Sequence, residues 1–168
     1  MLSQSEFLKA FVGDLLDLQQ IKFGRIEFQN AVFSPVALLQ NIYEIFAPQA
    51  NTRQIKLTVR IGNTNVEQLG APWNEQLMPR LIGDERRLKQ VIINLVRNAI
   101  KFTKAGGEIL IRVYYHEAPL NGLFVQVIDT GVGFAAEERD TLFTRFGKLQ
   151  RTANINSEGL GLGLMIVK

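Results

Sequence analysis

The sequence contains no cysteine, which excludes disulfide bonds and thiolate metal sites and fits a reducing compartment. It also contains no block of five like charges, because the formal net charge of +3 is spread along the chain. A nucleic-acid-binding arm is therefore not expected, and we predict no nucleic-acid partner. No apolar run approaches the roughly 18 residues that span a bilayer. We expect a soluble, cytoplasmic piece of a parent protein that is either soluble or membrane-anchored.

The 168 residues have the composition of a folded protein, with 46% hydrophobic and 21% charged residues, and their number suits one main domain. Near the N-terminus, apolar residues recur at spacings of three and four, which is typical of one stripe of a helix that packs against a partner: Leu8, Phe11, Leu15 and Leu18. Gly24 stops this pattern, and the alternating residues 25–28 predict a short strand. We place a boundary near Phe23, with residues 1–23 before the domain and residues 24–168 in it.

The next part of the chain predicts a helix followed by a strand. Ser34 and Pro35 are typical of a helix start, and Pro48 is predicted to end that helix. Alternating apolar residues over 55–61 predict a strand with one buried face. The polar residues 62–79 predict a connection with a short strand.

The strongest helix pattern begins at Asp84, a predicted N-cap, and runs to about Phe102. Two strands follow at 108–115 and 123–128, and the turn residues between them predict an antiparallel pair. The order helix, strand, helix, hairpin predicts an α+β sandwich, with helices on one face of a mixed, largely antiparallel sheet.

The polar face of the helix 84–102 carries two amides one turn apart, Asn94 and Asn98, together with the cation Lys101. Asparagine is a poor helix former, so two of them beside core residues indicate a ligand that carries oxygens. An amide oxygen suits Mg²⁺ that bridges phosphates, and a lysine adds a point charge for the same phosphates. The alternative is that both amides satisfy buried backbone groups or face water.

Two glycine-containing segments follow this helix. Residues 129–134, DTGVGF, lie where the second hairpin strand ends, and there the carboxylate could accept a hydrogen bond from the exocyclic amine of adenine. Residues 159–164, GLGLGL, open onto a helix-like end and could present backbone N–H groups to phosphates. The alternatives are a common Asp-Gly turn for the first segment, and a flexible hinge or tight packing for the second.

Taken in order, these segments resemble the nucleotide-binding boxes of the histidine kinase ATPase family, within the wider GHKL superfamily. LKQVIINLVRNAIKFT resembles the N box, DTGVGF the first glycine box, LFTRFGKL the phenylalanine box and GLGLGL the second glycine box. The match covers roughly residues 34–168, and residues 11–28 resemble the end of a second dimerisation helix. The resemblance implies a Bergerat-type sandwich that follows a dimerisation-helix remnant and is incomplete at its C-terminal end.

The resemblance also implies roles for individual residues. Asn98 would coordinate the Mg²⁺ that bridges the ATP phosphates, with Asn94 helping on the same face and Lys101 near a phosphate. Phe102 would pack at the nucleotide, and Asp129 would accept the hydrogen bond from adenine. The glycine boxes would shape the rest of the pocket, with Gly131 and Gly133 at its wall and Gly159, Leu160, Gly161, Leu162 and Gly163 beside the phosphates.

The implied activity is transfer of the γ-phosphoryl group of ATP to a histidine, in which positioning and charge neutralisation carry most of the catalysis. His116, the one histidine, is interpreted as a surface loop residue, so the acceptor would come from another segment or chain. The implied partners are the phosphoacceptor dimerisation helices of a homodimeric parent kinase and a downstream receiver domain. Alone, the chain is expected not to autophosphorylate, and to be marginally stable or oligomeric without the missing helix and strands.

Other activities stay open beside the kinase interpretation. A GHKL ATPase of the gyrase, Hsp90 or mismatch-repair type would carry a glutamate base four residues before the metal-binding asparagine, where this sequence has Asn94. An amide cannot take a proton, which favours the kinase. Serine kinases of the anti-sigma type share the fold, but the dimerisation-helix remnant argues against them. A catalytically inactive ATP-binding or interaction remnant is the last alternative.

Overall fold

The computed structural model describes residues 27–62, 64–66, 73–116 and 122–138. The chain divides into two compact units, of which Gln29–Gly133 contains every described α-helix and strand. Residues 134–138 belong to the other unit and include a short 3-10 turn, Ala136–Glu138. No helix among the described residues combines the length and hydropathy that a membrane crossing requires.

The elements of Gln29–Gly133 alternate as the sequence predicts. In chain order they are β1 (Ala31–Phe33), α1 (Pro35–Thr52), β2 (Lys56–Ile61), β3 (Thr64–Val66), a 3-10 turn (Glu75–Leu77), β4 (Leu81–Gly83), α2 (Glu85–Phe102), β5 (Glu108–His116) and β6 (Gly122–Asp129). One sheet has the order β3-β2-β5-β6, with β2 and β5 parallel and the other two pairs antiparallel. A separate antiparallel pair joins β1 and β4. The predicted α+β fold with a mixed, largely antiparallel sheet is confirmed.

The core lies between one face of the four-stranded sheet and both helices. Successive side chains of a strand point to opposite faces, so every second residue of β2 and β5 enters this core. Their parallel register sets Leu57 beside Ile109 and Val59 beside Ile111, and all four are buried. The helices contribute apolar side chains to the same cluster: Val36, Leu39, Ile42 and Phe46 from α1, and Ile92, Val96, Ala99 and Ile100 from α2. Burial of each large apolar side chain stabilises the fold by about 1.5–3 kcal/mol.

Helix α1 begins as predicted and ends later than predicted. The Ser34 hydroxyl accepts a hydrogen bond from the N–H of Ala37 at 3.2 Å, and proline occupies the first helical turn. Pro48 was expected to end the helix, yet the helix continues to Thr52. Proline removes one intrahelical hydrogen bond, but the added turn buries Ala50 completely against the core. Long-range burial therefore outweighs the local effect of the proline.

The strand predicted at 25–28 is not formed by the residues that the structure describes there, since residues 27–30 are irregular. The first strand begins at Ala31 instead, where Val32 lies opposite Ile82 and Phe33 lies opposite Leu81 in β4. Burial of Phe33 favours this later register. The boundary predicted near Phe23 lies outside the described residues and stays a prediction.

Helix α2 has the predicted bounds, and its N-cap is Asp84. One carboxylate oxygen accepts from the N–H of Arg87 and the other from the N–H of Gln29, both at 3.0 Å. These two hydrogen bonds favour the charged carboxylate, so they lower the pKa of Asp84 below its ordinary value. The cap therefore joins the start of α2 to the chain just before β1.

The predicted hairpin of β5 and β6 is confirmed, with Ile111 opposite Val127 in an antiparallel register. His116 was expected in a loop, but it is the last residue of β5. Its side chain is exposed, as predicted, and its ring lies edge-on to the rings of Tyr114 and Phe124. The residues that connect the two strands, 117–121, lie outside the described ranges.

Candidate nucleotide-binding site

The predicted amide face of α2 is present, but one of its members is buried. Asn94 lies about 200° around the helix from the core residues Ile92 and Val96, yet only 6% of its surface is exposed. Within the described residues, no hydrogen-bond acceptor reaches its Nδ2 atom. A buried amide without a partner is costly, and oxygens of a ligand would satisfy it. This burial argues against the alternative that the Asn94 amide faces water, and the role of both amides stays a prediction.

The next two turns of α2 extend the same face. Asn98 lies one turn after Asn94 and is half-buried, and Lys101 follows three residues later. The Lys101 ammonium lies 5.6 Å from the centroid of the Phe102 ring, so the last turn places a cation and an aromatic ring side by side. An amide oxygen, a positive charge and an apolar ring form the chemical set that a nucleotide with a metal ion requires.

Asp129 is the last residue of β6, and its carboxylate organises the turn that follows. Its Oδ1 atom accepts a hydrogen bond from the N–H of Gly131 at 2.9 Å. The side chain is exposed, and its Oδ2 atom makes no hydrogen bond to another described residue. One carboxylate oxygen therefore holds the turn, while the second is an acceptor at the surface, where a ligand amine can reach it.

The glycines of this turn are needed for two different reasons. A Cβ atom at Gly131 would lie 2.6 Å from Asp129 Oδ1 and 2.8 Å from the carbonyl oxygen of Phe102, so no side chain fits there. Gly133 has open space around it but a φ of +58°, which other residues rarely adopt. The N–H of Val132 donates to the carbonyl oxygen of Phe102 at 3.4 Å. The turn thus lies directly against the last residue of α2.

Two residues that the sequence analysis did not single out, Thr130 and Gly107, fix the turn after β6 against the start of β5. The Thr130 hydroxyl accepts from the N–H of Glu108 at 2.9 Å, and the N–H of Thr130 donates to the carbonyl of Glu108 at 3.1 Å. A Cβ atom at Gly107 would lie 2.5 Å from the side chain of Thr103 and 2.8 Å from the Thr130 hydroxyl. The start of β5 and the turn after β6 are therefore packed tightly together.

A third missed residue, Arg53, lies beside the last turn of α2. An open groove of about 370 Å³ separates the end of α1 from α2, and it is lined by Gln49, Thr52, Arg53, Arg97, Ile100 and Lys101. Arg53 donates a hydrogen bond across this groove to the carbonyl of Ile100. No local sequence pattern reveals this contact, because its partners are 47 residues apart.

The second glycine segment, with Gly159, Leu160, Gly161, Leu162 and Gly163, lies outside the described residues. Its role beside the phosphates therefore stays a prediction. Of residues 135–158, which connect the two glycine segments, the structure describes 135–138. There the carboxylate of Glu138 accepts from the N–H of Ala135 at 2.7 Å.

This combination of fold and site defines a class of protein. Helices cover one face of a mixed sheet, an amide pair lies on the second helix, and a carboxylate turn ends the neighbouring strand. Together they are the framework of a nucleotide-binding α+β domain. Residues 83–168, about half of the chain, match the family described as histidine kinase-, DNA gyrase B-, and HSP90-like ATPase. The chain belongs to this family, and it is an ATP-binding domain of the histidine kinase type.

Several histidine kinases match nearly the whole chain. The circadian input-output histidine kinase CikA of Thermosynechococcus vestitus is 35% identical over 161 residues, which are 96% of this chain and 20% of CikA. The autoinducer 2 sensor kinase/phosphatase LuxQ of Vibrio cholerae is 31% identical over 98% of this chain and 18% of LuxQ. Full-length ShkA, solved in complex with AMPPNP, superposes with a TM-score of 0.70 at 28% identity, over 98% of this chain and 30% of ShkA. The chain spans about a fifth of the length of the first two kinases.

Proposed function

We propose that this domain binds Mg·ATP and presents the γ-phosphoryl group to a histidine carried by another segment or chain. The observation that carries the proposal is the buried, unpartnered amide of Asn94, with Asn98 one turn later, in a relative of histidine kinases. An ATPase would need a general base in this place to activate water, and an amide cannot act as one. This amide fits transfer of the phosphoryl group to a histidine better than hydrolysis by an activated water.

The residues of the amide face fit a magnesium ion. Mg²⁺ prefers oxygen ligands and is usually held by one or two protein oxygens together with substrate phosphates. The oxygen of Asn98 would supply such a ligand, while the Nδ2 atom of Asn94 would donate to a phosphate oxygen. Lys101 would add positive charge nearby. The ion would neutralise phosphate charge, and helix α2 would fix the positions of the ion and the phosphates.

The turn after β6 is the proposed adenine site. Asp129 Oδ2 would accept a hydrogen bond from the exocyclic amine, and Phe102 would pack against the base from the last turn of α2. Gly131 and Gly133 would form the pocket wall, and Gly159, Leu160, Gly161, Leu162 and Gly163 would approach the phosphates. The support for the adenine assignment is the exposed carboxylate of Asp129, held in a turn that is hydrogen-bonded to the backbone carbonyl of Phe102.

The remaining parts of the reaction would come from the parent protein. The proposed partners are the phosphoacceptor dimerisation helices of a homodimeric kinase and a downstream receiver domain, in a phosphorelay that uses cytoplasmic ATP. The proposal is supported by the relationship to sensor kinases several times longer than this chain. A catalytically inactive ATP-binding remnant is the second candidate, because the acceptor would lie elsewhere.

Nucleotide titration of single variants tests the adenine assignment. In Asp129→Asn the side-chain oxygen still accepts from the N–H of Gly131, but an NH₂ group replaces the second oxygen and faces the adenine amine. We expect at least a tenfold loss of ATP affinity, about 1.4 kcal/mol. Gln126→Ala, an exposed change on the same strand, should bind as the wild type does. Equal affinities of Asp129→Asn and the wild type would refute the adenine assignment.

A second variant tests the metal assignment. Asn98→Ala removes the proposed oxygen ligand, so it should lose at least tenfold in affinity when Mg²⁺ is present and much less when ATP is titrated with a chelator. The difference between these two conditions isolates the metal contribution. A loss of the same size under both conditions would mean that Asn98 contacts the nucleotide without a metal ion.

A further inference from the structure

The end of α2 is held by a charged side chain from outside the amide face. Arg53, the residue after α1, donates from Nη1 to the carbonyl of Ile100, and this hydrogen bond is partly buried. Carbonyls in the last turn of a helix have no partner within the helix. The guanidinium therefore satisfies one of them with a charge-assisted hydrogen bond, and it places positive charge at the negative end of the helix dipole.

The residues after Arg53 bind the connection that follows α2. Gln54 has a φ of +57°, and no other non-glycine residue in the described ranges has a positive φ. Its carbonyl accepts from the N–H of Gly106 at 2.8 Å, and the N–H of Lys56 donates to Gly107 at 3.0 Å. The turn after α1 is thus bonded to Gly106 and Gly107, the last two residues of the connection between α2 and β5. A strained backbone held in this way indicates that the surroundings fix its position.

On its other side, the last turn of α2 supports the proposed adenine site. The carbonyl of Phe102 accepts from the N–H of Val132, and the same carbonyl leaves no room for a side chain at Gly131. The turn after β6 therefore rests on the helix end that Arg53 holds. A shift of that helix end would move Phe102, Lys101 and the turn together.

We propose that Arg53 is a positioning residue for the nucleotide site: it contacts no ligand, and it fixes the last turn of α2 on which the adenine turn rests. The inference builds on the proposed function, since it assumes that this turn binds adenine. Arg97 provides a matched comparison. It lines the same groove and is exposed, and it makes no hydrogen bond or ion pair to a described residue. The two arginines share charge and location, and they differ in the bond to Ile100.

The first test compares Arg53→Met with Arg97→Met in the 168-residue chain. Each variant loses one positive charge from the same groove, so the two variants are matched in net charge. Mg·ATP is titrated at a temperature where circular dichroism shows both variants folded. We expect the Kd of Arg53→Met to exceed that of Arg97→Met at least threefold. Arg53→Lys should lie between them, because an ammonium can donate to the same carbonyl as a point charge.

The second test needs no nucleotide and separates positioning from general stabilisation. In Arg53→Met the amide hydrogen of Val132 should exchange faster, while that of Val59 within the sheet keeps its wild-type protection. A role in overall stability would instead lower protection at both positions. If Arg53→Met does not fold, Arg53→Lys replaces it in both tests, with a smaller expected change.

The outcomes are distinguishable. Kd values of Arg53→Met and Arg97→Met that agree within twofold, or a uniform loss of amide protection, would overturn the positioning role. A wild-type chain that does not bind Mg·ATP would refute the proposed function instead. The exchange measurement on Val132 would then still decide whether Arg53 fixes the turn.

Discussion

Replacing Gly131 by alanine tests the close approach between the turn after β6 and the end of α2. The new methyl group would lie 2.6 Å from Asp129 Oδ1, 2.8 Å from the Phe102 carbonyl oxygen and 3.0 Å from its carbon. Two of these atoms belong to backbone, so a side-chain rotation cannot relieve the overlap. The turn must move away from the helix, which weakens the hydrogen bonds of Gly131 and Val132. Overpacking of this kind costs about 1–3 kcal/mol.

The expected result is a lower stability together with a weaker nucleotide complex. For a chain of this length, each kcal/mol lowers Tm by about 2–4 °C, so we expect Gly131→Ala to melt roughly 2–12 °C lower. Mg·ATP affinity should fall as well, because the displaced turn carries Asp129. Thermal melts followed by circular dichroism and nucleotide titrations measure the two effects separately.

The matched control is Gly133→Asn in the same turn. Its surroundings are open, and asparagine tolerates a positive φ better than most residues, so this change should cost less than Gly131→Ala. The two variants therefore separate the effect of steric overlap from the effect of backbone strain. If Gly131→Ala melted and bound ATP as the wild type does, the tight contact with Phe102 would not exist, and our account of the turn would be wrong.

Helix α1, the cap of α2 and His116 each allow one further test. Pro48→Ala restores a helical N–H at an exposed site, so it should raise the denaturation midpoint. An unchanged or lower midpoint would show that proline does not destabilise the helix at this position. The folded-state pKa of Asp84 is lowered, so its contribution to stability is present above pH about 4 and disappears as pH falls further. When Asp84→Ala is titrated with acid, its free energy of unfolding should not show this part of the decrease. Incubation with γ-labelled ATP should leave the chain unlabelled, and acid-labile label that disappears in His116→Gln would show the opposite.

Local patterns predicted the elements whose stability is mainly local. The bounds of α2 follow from a capping aspartate and a continuous helical period, and the β5–β6 hairpin follows from alternation around turn residues. The end of α1 could not be predicted in this way. Pro48 is a local signal, whereas burial of Ala50 depends on a sheet that forms from distant parts of the chain.

The candidate site shows the same division. The residue types and their order identified Asn98, Lys101 and Asp129 as candidates, because these types carry the chemistry. Sequence placed Asn94 on a polar face, and only the fold shows that this side chain is buried. The contact between Arg53 and Ile100 depends on two helix ends that meet in space, and no spacing of residues along the chain encodes it.

The parallel pairing of β2 with β5 has a consequence for how the domain folds. The antiparallel pairs β2–β3 and β5–β6 join strands that are neighbours in sequence, whereas the parallel seam sets Lys56 beside Glu108, about fifty residues away. Closing so long a loop costs chain entropy before any contact compensates for it, so we expect the seam to form later than either hairpin. Helix α2 lies within this loop. A mutation that weakens α2 should therefore slow the joining of two preformed hairpins more than it slows the formation of either one.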